Sequence, residues 1–237
     1  MVSPAYEEWS NLAALRAPML EVLGEFRPDS RWVVVCEPSP AVTLKQNFEL
    51  HDQIIVVERP VHRTDFGYAL QLGLEQISSS DDVVVFIDAD GSHDPTQIRV
   101  IVDHLVKNNE LDVVISSRYI HGGSSDNSLQ LRLMSRVLNW AFGLVLGLKV
   151  SDCSNNFKAY RAVLLRHAVL SARTFEAVEE LLVLATERKR SKLKILEIPG
   201  HFRERQAGKS KRSLAQFIGL YLASFIGYAR RIRKFPG

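Results

Sequence analysis

The chain has 237 residues, of which 46% are hydrophobic and 24% charged, an ordinary globular composition that argues against a disordered protein. This length allows one large domain or two small ones, with ample material for a core. The net charge of +3 does not by itself indicate nucleic-acid binding, and the basic residues concentrate in 188–212 and 230–234.

The cysteines and the N-terminal residues indicate in which cellular compartment the protein is expected. Cys36 and Cys153 are too few for a disulfide framework, and they fit small apolar core positions in a reducing compartment. The opening residues MVSPAYEEWSN contain neither the basic nor the apolar region of a signal peptide. No uninterrupted apolar run of about 20 residues occurs, so no membrane-spanning helix is expected.

Short β-branched segments alternate with helical patterns along the chain. Strands are predicted at 31–37, 53–60, 82–90, 111–119 and 193–199, after a very short first strand near the N-terminus; helices are predicted at 8–25, 64–78, 95–108, 129–147 and 174–190. Several strands lack apolar–polar alternation, as parallel strands covered on both faces do. The pattern predicts an α/β domain with a mostly parallel sheet flanked by helices.

Polar residues follow several of these strands. In such sheets, ligands bind beyond the carboxyl ends of the strands, so these residues are expected to face one cleft. They are Pro4, Tyr6, Glu8, Glu37, Asp88, Asp90 and Arg118. Acids together with an arginine suit a metal ion and phosphates.

The segment VVVFIDADGSHDP ends a buried strand in a cluster of acids. Crowded carboxylates repel each other unless a positive charge lies between them. Asp88 and Asp90, after the long apolar run, are typical of an Mg²⁺ or Mn²⁺ site that takes its remaining ligands from substrate phosphates and water. A surface turn that caps the next helix is the structural alternative.

The end of the same segment favours that alternative. Asp94 precedes Pro95, which suits the first helical position, so Asp94 is predicted to cap the helix. His93 is expected to be packed or to support a ligand rather than to bind metal itself.

The FIDADGS pattern also resembles the opening motif of haloacid-dehalogenase-type phosphatases. That family has this motif on its first strand, whereas two or three strands precede it here, and no late Gly-Asp-x-x-x-Asp follows. The phosphatase interpretation is therefore disfavoured.

Six segments occur in one order between residue 2 and about residue 213: SPAYEEWSNLAAL, HRTDFGYALQLGLEQ, FIDADGSHDPTQI, SSRYIHGG, SDCSNNFKAYR and IPGHFRERQAGKSK. Together they resemble the family 2 glycosyltransferases of the GT-A fold, especially the dolichyl- and polyprenyl-phosphate mannose synthases. The resemblance implies an inverting enzyme with a nucleotide-sugar donor, an Mg²⁺ or Mn²⁺ ion and a polyprenyl-phosphate acceptor. It also implies a peripheral or monotopic position at the cytoplasmic face of a membrane.

The resemblance assigns roles to individual residues. It places Pro4, Tyr6, Glu8 and Glu37 at the donor's nucleoside, Asp88, Ala89 and Asp90 at the nucleotide and metal, and Arg118, Arg132, Arg205 and Lys211 at phosphates. Arg205 and Lys211 are expected at the donor phosphates, and Arg118 and Arg132 at the acceptor phosphate. Asp88 and Asp90, together with Ser92, are expected at the metal. Asp90, Arg118, Arg132 and Arg205 are the predicted catalytic residues.

An acceptor phosphate is already an oxyanion, so it needs no strong general base, and positioning and charge neutralisation suffice. Arginine suits this role because its planar fork pairs with two phosphate oxygens. Glu179 and Glu180 are candidates for a base in relatives with sugar acceptors, and here a salt bridge or a helix face is the alternative.

Two positions depart from the family pattern. CEPS, from Cys36 to Ser39, replaces the usual Asp-Asp-Gly-Ser, and Ser92 stands where a Gln metal contact is frequent. GDP-mannose is the leading donor, but these departures leave open UDP-glucose, UDP-N-acetylglucosamine or a non-catalytic nucleotide-sugar binder.

Two helical patterns concern the membrane. Residues 1–213 are predicted to form the transferase domain, and 214–237 an amphipathic interfacial helix with a basic tail. Its apolar stripe is Leu214, Phe217, Ile218, Tyr221, Leu222, Phe225 and Ile226. Packing on the core or an oligomer contact is the alternative. The helix at 129–147 is a second membrane candidate, since Arg132, Arg136 and Asn139 lie along one stripe of an otherwise apolar helix; packing under the core sheet is the alternative.

Overall fold

The structure is a computed structural model, and it describes residues 1–38, 51–203 and 224–232. The strands are β1 (Val2–Pro4), β2 (Trp32–Cys36), β3 (Ile54–Glu58), β4 (Val83–Phe86), β5 (Val113–Ser117), β6 (Ser124–Ser125), β7 (Lys158–Arg161), β8 (Ile195–Pro199) and β9 (His201–Phe202). The helices are α1 (Trp9–Gly24), α2 (Phe66–Glu75), α3 (Gln97–Lys107), α4 (Leu129–Leu146), α5 (Ala162–Leu165) and α6 (Ala177–Lys189). Residues 224–232 are also helical.

Seven strands form one sheet in the order β3-β2-β1-β4-β7-β5-β8. The pairs β1–β2, β1–β4, β2–β3 and β5–β8 are parallel, whereas β7 is antiparallel to both β4 and β5. The short strands β6 and β9 pair in a separate two-stranded sheet. The expected α/β fold with a mostly parallel sheet is confirmed.

Apolar side chains cover the sheet on both faces. In β2, Val33 and Val35 belong to the core on one face, while Trp32, Val34 and Cys36 belong to the core on the other. Helices α2, α4 and α6 contribute to the first core, and α1 and α3 to the second. Two-sided burial explains why β2 reads as a continuous apolar run.

Strand β7 and the β6–β9 pair were missed by the sequence analysis. The β7 sequence KAYR has no β-branched residue and carries two basic side chains, so it lacks the composition typical of a strand. Its position is decided by pairing with β4 and β5 on either side. The five longer strands and all five helices that were predicted are present, with ends shifted by a few residues.

The helical residues 224–232 pack onto the domain. Phe225 stacks on Phe142 of α4 with ring centroids 4.2 Å apart, and the Tyr228 hydroxyl donates to the Glu176 carbonyl over 3.2 Å. Arg231 bridges Glu180 and Glu187 of α6 at 2.6 and 2.7 Å. In residues 224–232 the tail therefore packs on the core, which was the alternative to an interfacial helix. Residues 214–223 and 233–237 lie outside the described residues.

Within the described residues, no helix combines the length and the hydropathy needed to span a bilayer.

Replacing Tyr160 by Phe tests the packing at β7. Tyr160 is fully buried, and its hydroxyl lacks a hydrogen-bond partner among the described residues. Because Phe keeps the edge contact with Phe86 and removes an unsatisfied polar atom, Tyr160→Phe should leave the free energy of unfolding unchanged or raise it by about 1 kcal/mol. Urea denaturation measures this. Tyr160→Ala is the control and should lose about 3–5 kcal/mol; a comparable loss in the Phe variant would contradict the prediction.

Candidate active site

The candidate site lies at the carboxyl edge of the parallel strands. Strands β2 and β3 extend from β1 in one direction and β4 lies on its other side, so the sheet has a switch point between β1 and β4. Such a point opens a crevice between the loops that follow the two strands. Tyr6 follows β1 and Asp88 follows β4, so both are placed at this crevice by topology.

The antiparallel direction of β7 brings a further loop to the same edge. Residues 152–157 precede β7, and Phe86, the last residue of β4, pairs with Lys158, the first residue of β7. The loop before an antiparallel strand therefore lies beside the loop after its parallel neighbour. The Asn156 side-chain amide donates to Asp88 Oδ1 over 2.9 Å as a result.

Asp88 and Asp90 differ in their surroundings. Asp88 retains 22% side-chain exposure, and His93 Nε2 lies 3.6 Å from its Oδ2. Asp90 is 5% exposed, and its Oδ1 accepts the Ser92 N–H over 3.0 Å across the turn at Gly91, where φ is 75°. The turn places two carboxylates and the Ser92 hydroxyl within six residues of Phe86, the end of β4.

These side chains fit a divalent cation. Ser92 Oγ is fully buried and has no hydrogen-bond partner in residues 1–38, 51–203 and 224–232, which leaves an oxygen ligand beside Asp90. In these same residues, no group of three His, Cys, Asp or Glu side chains forms a complete metal cage. Mg²⁺ commonly binds through one or two carboxylates plus substrate phosphates and water, so two carboxylates meet its requirement.

His93 is packed, as expected, whereas the prediction that Asp94 is the N-cap of the next helix is wrong by two residues. The His93 ring lies between Phe157 and Phe202, with centroid distances of 5.0 and 5.2 Å. Asp94 Oδ1 accepts both the backbone N–H and the hydroxyl of Thr96, at 3.0 and 2.8 Å. The helix α3 begins two residues beyond Pro95, with Thr96 as its N-cap, so Asp94 holds the turn before the helix.

Arg118 is held by a buried carboxylate. Its Nε and Nη2 donate to the two oxygens of Asp152 at 2.8 and 2.6 Å, and Nη2 also donates to Ser154 over 2.9 Å. Burial lowers the pKa of Arg118, but the hydrogen bond and charge of Asp152 outweigh it, and the pKa is raised above its ordinary value. The predicted phosphate role of Arg118 remains a prediction, and the structure gives this arginine a partner within the chain.

A second ion pair, Glu37–Arg59, lies where β2 and β3 end. Glu37 accepts the Glu7 N–H over 2.7 Å and Arg59 Nη2 over 3.1 Å. Arg59 is 2% exposed, and its guanidinium carbon lies 4.9 Å from the centre of the Tyr6 ring. Glu7 has a left-handed φ of 55°, which is uncommon for a residue with a side chain, and in this conformation its N–H donates to Glu37.

The remaining predicted residues are dispersed. Pro4 is buried within β1, Ala89 is buried beside Asp88, and Glu8 caps α1 and accepts from Asn11. Arg132 lies in the first turn of α4 with partial exposure. Arg205 and Lys211 lie outside the described residues.

The two candidate bases, Glu179 and Glu180, lie within the domain core. Glu180 binds Arg231 and the Ser171–Ala172 backbone, and Glu179 is fully buried.

Sequence reasoning missed three residues that shape the site. Arg59 follows β3 directly, so the strand-end rule points to it, and Asp152 and Asn156 belong to the quoted SDCSNNFKAYR segment. Finding the roles of the last two requires knowing that β7 runs antiparallel.

Comparison with known proteins agrees with this architecture. The model of glycosyl transferase family 2 matches residues 1–168. The chain belongs to this family. Undecaprenyl-phosphate mannosyltransferase of Micrococcus luteus is 35% identical over 90% of this chain and 86% of that protein. Polyprenol monophosphomannose synthase of Mycolicibacterium smegmatis is 28% identical over 90% of this chain and 80% of that protein.

A solved structure also resembles this family 2 glycosyltransferase. Glucosyl-3-phosphoglycerate synthase of Mycobacterium tuberculosis, in complex with Mn²⁺, UDP and phosphoglyceric acid, superposes with a TM-score of 0.67 at 20% identity. The match covers 96% of this chain and 77% of that protein. At this identity the likeness concerns the fold alone, and it confirms the expected GT-A architecture.

Replacing Asp152 by Ala tests the buried pair with Arg118. Removing one partner of a buried ion pair leaves the other charge uncompensated and typically costs about 3–5 kcal/mol. Asp152→Ala should therefore lower the free energy of unfolding by about that amount in urea denaturation. Glu110→Ala is the matched control, because Glu110 pairs with Lys194 on the exposed surface. Equal stability losses in the two variants would contradict the prediction.

Proposed function

We propose that this glycosyltransferase transfers a sugar, with mannose from GDP-mannose as the leading candidate, to a polyprenyl or dolichyl phosphate with inversion. The observation that carries the proposal is the Asp88–Asp90 turn at the switch point of the sheet, with Asn156 and Ser92 beside it. The Micrococcus luteus and Mycolicibacterium smegmatis relatives are named for transfer to undecaprenyl phosphate and for polyprenol monophosphomannose synthesis, which supports the acceptor class.

Asp88, Asp90 and Ser92 would hold an Mg²⁺ or Mn²⁺ ion against the donor's diphosphate. Such an ion, when bound, neutralises charge on the departing diphosphate. Other residues of the chain orient the two carboxylates. Asn156 orients Asp88, and the Gly91 turn orients Asp90. The Mn²⁺ in the structure of glucosyl-3-phosphoglycerate synthase supports a divalent ion in this fold.

The acceptor phosphate supplies its own nucleophile. One of its oxygens, already ionised, attacks the anomeric carbon as the bond from that carbon to the donor diphosphate breaks. No proton has to be removed, so the burial of Glu179 and the engagement of Glu180 are compatible with catalysis. We infer that positive charge at the donor diphosphate and the acceptor phosphate comes from Arg118, Arg132, Arg205 and Lys211, with Arg205 and Lys211 at the donor.

The nucleoside end of the donor site would be formed by Pro4, Tyr6, Glu8 and Glu37. Glu37 is held by Glu7 and Arg59, so its carboxylate is fixed in place before a donor arrives. A UDP-sugar donor is the second candidate, supported by the UDP in the structural neighbour.

A donor panel tests the proposal. Purified protein is incubated with Mn²⁺, polyprenyl phosphate and either GDP-mannose, UDP-glucose or UDP-N-acetylglucosamine, and glycolipid is detected by mass spectrometry. Formation of mannosyl lipid from GDP-mannose is expected. Absence of glycolipid with every donor overturns the acceptor assignment, and nucleotide binding without turnover would instead indicate a non-catalytic nucleotide-sugar binder.

Asp90→Ala should abolish transfer in the same assay, because it removes a metal ligand at the reacting centre. Asp103→Ala is the control, since Asp103 pairs with Lys107 on the exposed side of α3 and should keep full activity. Full activity of Asp90→Ala would remove the metal assignment.

We further propose that the exposed face of α4 contacts the membrane. Five large apolar residues follow one another at intervals of three or four along this helix: Leu129, Leu133, Val137, Trp140 and Leu144. Their exposed fractions run from 59% to 79%, while Asn139, Phe142, Gly143 and Leu146 on the opposite side are buried. An apolar stripe of this length on a helix surface is typical of an interfacial helix.

Charges beside the stripe favour a lipid surface. Arg132 and Arg136 lie on α4 itself, and the Arg136 guanidinium carbon lies 5.2 Å from the centre of the Tyr119 ring, next to Arg118. Arginines at the edge of an apolar face attract anionic headgroups. The stripe and the candidate acceptor arginines are thus adjacent, which suits a lipid phosphate. The proposed interfacial tail 214–237 would add to this surface beyond its docked residues 224–232.

Trp140→Ser combined with Leu133→Ser tests the α4 surface by flotation with liposomes containing anionic lipid. Each large apolar side chain contributes about 1.5–3 kcal/mol when fully buried, so the double variant should bind at least about tenfold more weakly. Val100→Ser with Val106→Ser is the control, since these valines are exposed on α3 at 47% and 59%. Unchanged flotation of the α4 variant would contradict the proposal.

A further inference from the structure

Lys158 is a charged side chain with no place in the mechanism above. It is 1% exposed, and it ranks among the largest fully buried side chains of the domain. Its Nζ donates to the Cys153 carbonyl over 2.8 Å and also to the Asn155 carbonyl. Both acceptors belong to the loop that directly precedes β7.

Burying an ammonium group is costly, so its position requires compensation. Burial lowers the pKa of Lys158 to about 8, and the charge of Glu179 is the leading influence that opposes this. Glu179 is itself fully buried, on α6. The chain thus places a lysine and a glutamate in its core, where apolar residues of similar volume are often no less stabilising.

The loop that Lys158 holds is buried but irregular. Residues 152, 153, 155, 156 and 157 are buried, and none of them belongs to a helix or strand. A buried loop has backbone carbonyls that no sheet or helix satisfies, and each needs a donor. The Nζ atom of Lys158 donates hydrogen bonds to two of these carbonyls.

Each end of this loop contacts a residue of the candidate site. Asp152 binds the guanidinium of Arg118 at 2.6 and 2.8 Å, and Asn156 donates to Asp88 over 2.9 Å. Between these residues, the Asn155 side-chain amide donates to the Ser116 carbonyl over 2.5 Å. The two carbonyls bound by Lys158 lie between the two outward contacts.

We propose that Lys158 is a positioning residue that fixes the 152–157 loop from beneath, and so sets Asn156 against Asp88 and Asp152 against Arg118. It touches no substrate. The consequence for catalysis rests on the proposed function, because it assumes that Asp88 binds the donor and metal. The ordering of the loop does not depend on that assumption.

Hydrogen–deuterium exchange without added ligand tests the ordering directly. Lys158→Met keeps the chain length and removes the donors, so amides of 152–157 should exchange at least about tenfold faster while those of β2 do not change. Lys158→Arg retains donors and charge, so it should stay near the wild-type rate. Tyr160→Phe, at the neighbouring inward position of β7, controls for a general change in this core.

An unchanged exchange rate in the loop, or an equal increase across the whole domain, overturns the proposal whether or not any nucleotide binds. If Lys158→Met fails to fold, Lys158→Gln takes its place: its shorter, neutral side chain cannot make both bonds that Nζ makes, so the 152–157 amides should still exchange faster than in Lys158→Arg.

A double-mutant cycle tests the link to the site. Calorimetry measures the affinity for GDP or UDP with Mn²⁺ in Lys158→Met, Asn156→Ala and the double variant. If Lys158 acts through Asn156, each single variant weakens binding and the double variant is no weaker than the worse single one. If the losses of affinity in the two single variants add up in the double variant, Lys158 does not act through Asn156. If the wild type binds neither nucleotide, the proposed function fails, and the exchange experiment still decides the role of Lys158.

Discussion

The insertion of one antiparallel strand into a parallel sheet determines how the candidate site is assembled. Strand β7 pairs with β4 on one side and β5 on the other. Because it runs the opposite way, the loop that enters it meets the loops that leave its neighbours. The Asp88 turn after β4 and the Arg118 turn after β5 are therefore both bonded to one segment, residues 152–157. In an all-parallel sheet, this segment would lie at the far edge.

Most carboxylates at this edge of the sheet have a hydrogen-bonding partner in the chain. Three acids at the edge of the sheet have partners from elsewhere in the chain: Asp88 has Asn156, Asp152 has Arg118, and Glu37 has Arg59. Asp90 accepts the backbone N–H of Ser92. Partners of this kind fix the direction of each carboxylate, so the site is ordered by the fold before any ligand binds. Preorganised charge is what a reaction between two phosphorylated substrates requires, because little proton transfer is involved.

The two faces of α4 connect the site to its proposed lipid surroundings. One side of the helix packs into the core and receives Phe225 from the C-terminal helical residues. The other side presents large apolar residues next to Arg132 and Arg136. A helix apolar on both sides would normally be buried on both sides, so the exposed stripe needs a partner. The proposed acceptor carries its phosphate on a long hydrocarbon chain, and a bilayer surface is where such a molecule resides.

The sequence by itself determined the α/β class, the positions of the main helices and strands, and the family. These depend on local periodicity and on the order of short motifs, which are present in the chain before it folds. It also singled out Asp88, Asp90 and Arg118, because residues that follow strands gather at one edge. The tertiary structure alone decided the direction of β7, the partners Asn156 and Asp152, the pairing of Arg59 with Glu37, and which side of α4 is exposed. Those features arise from contacts between residues far apart in the chain, and neither local pattern nor spacing encodes which distant segments will pair.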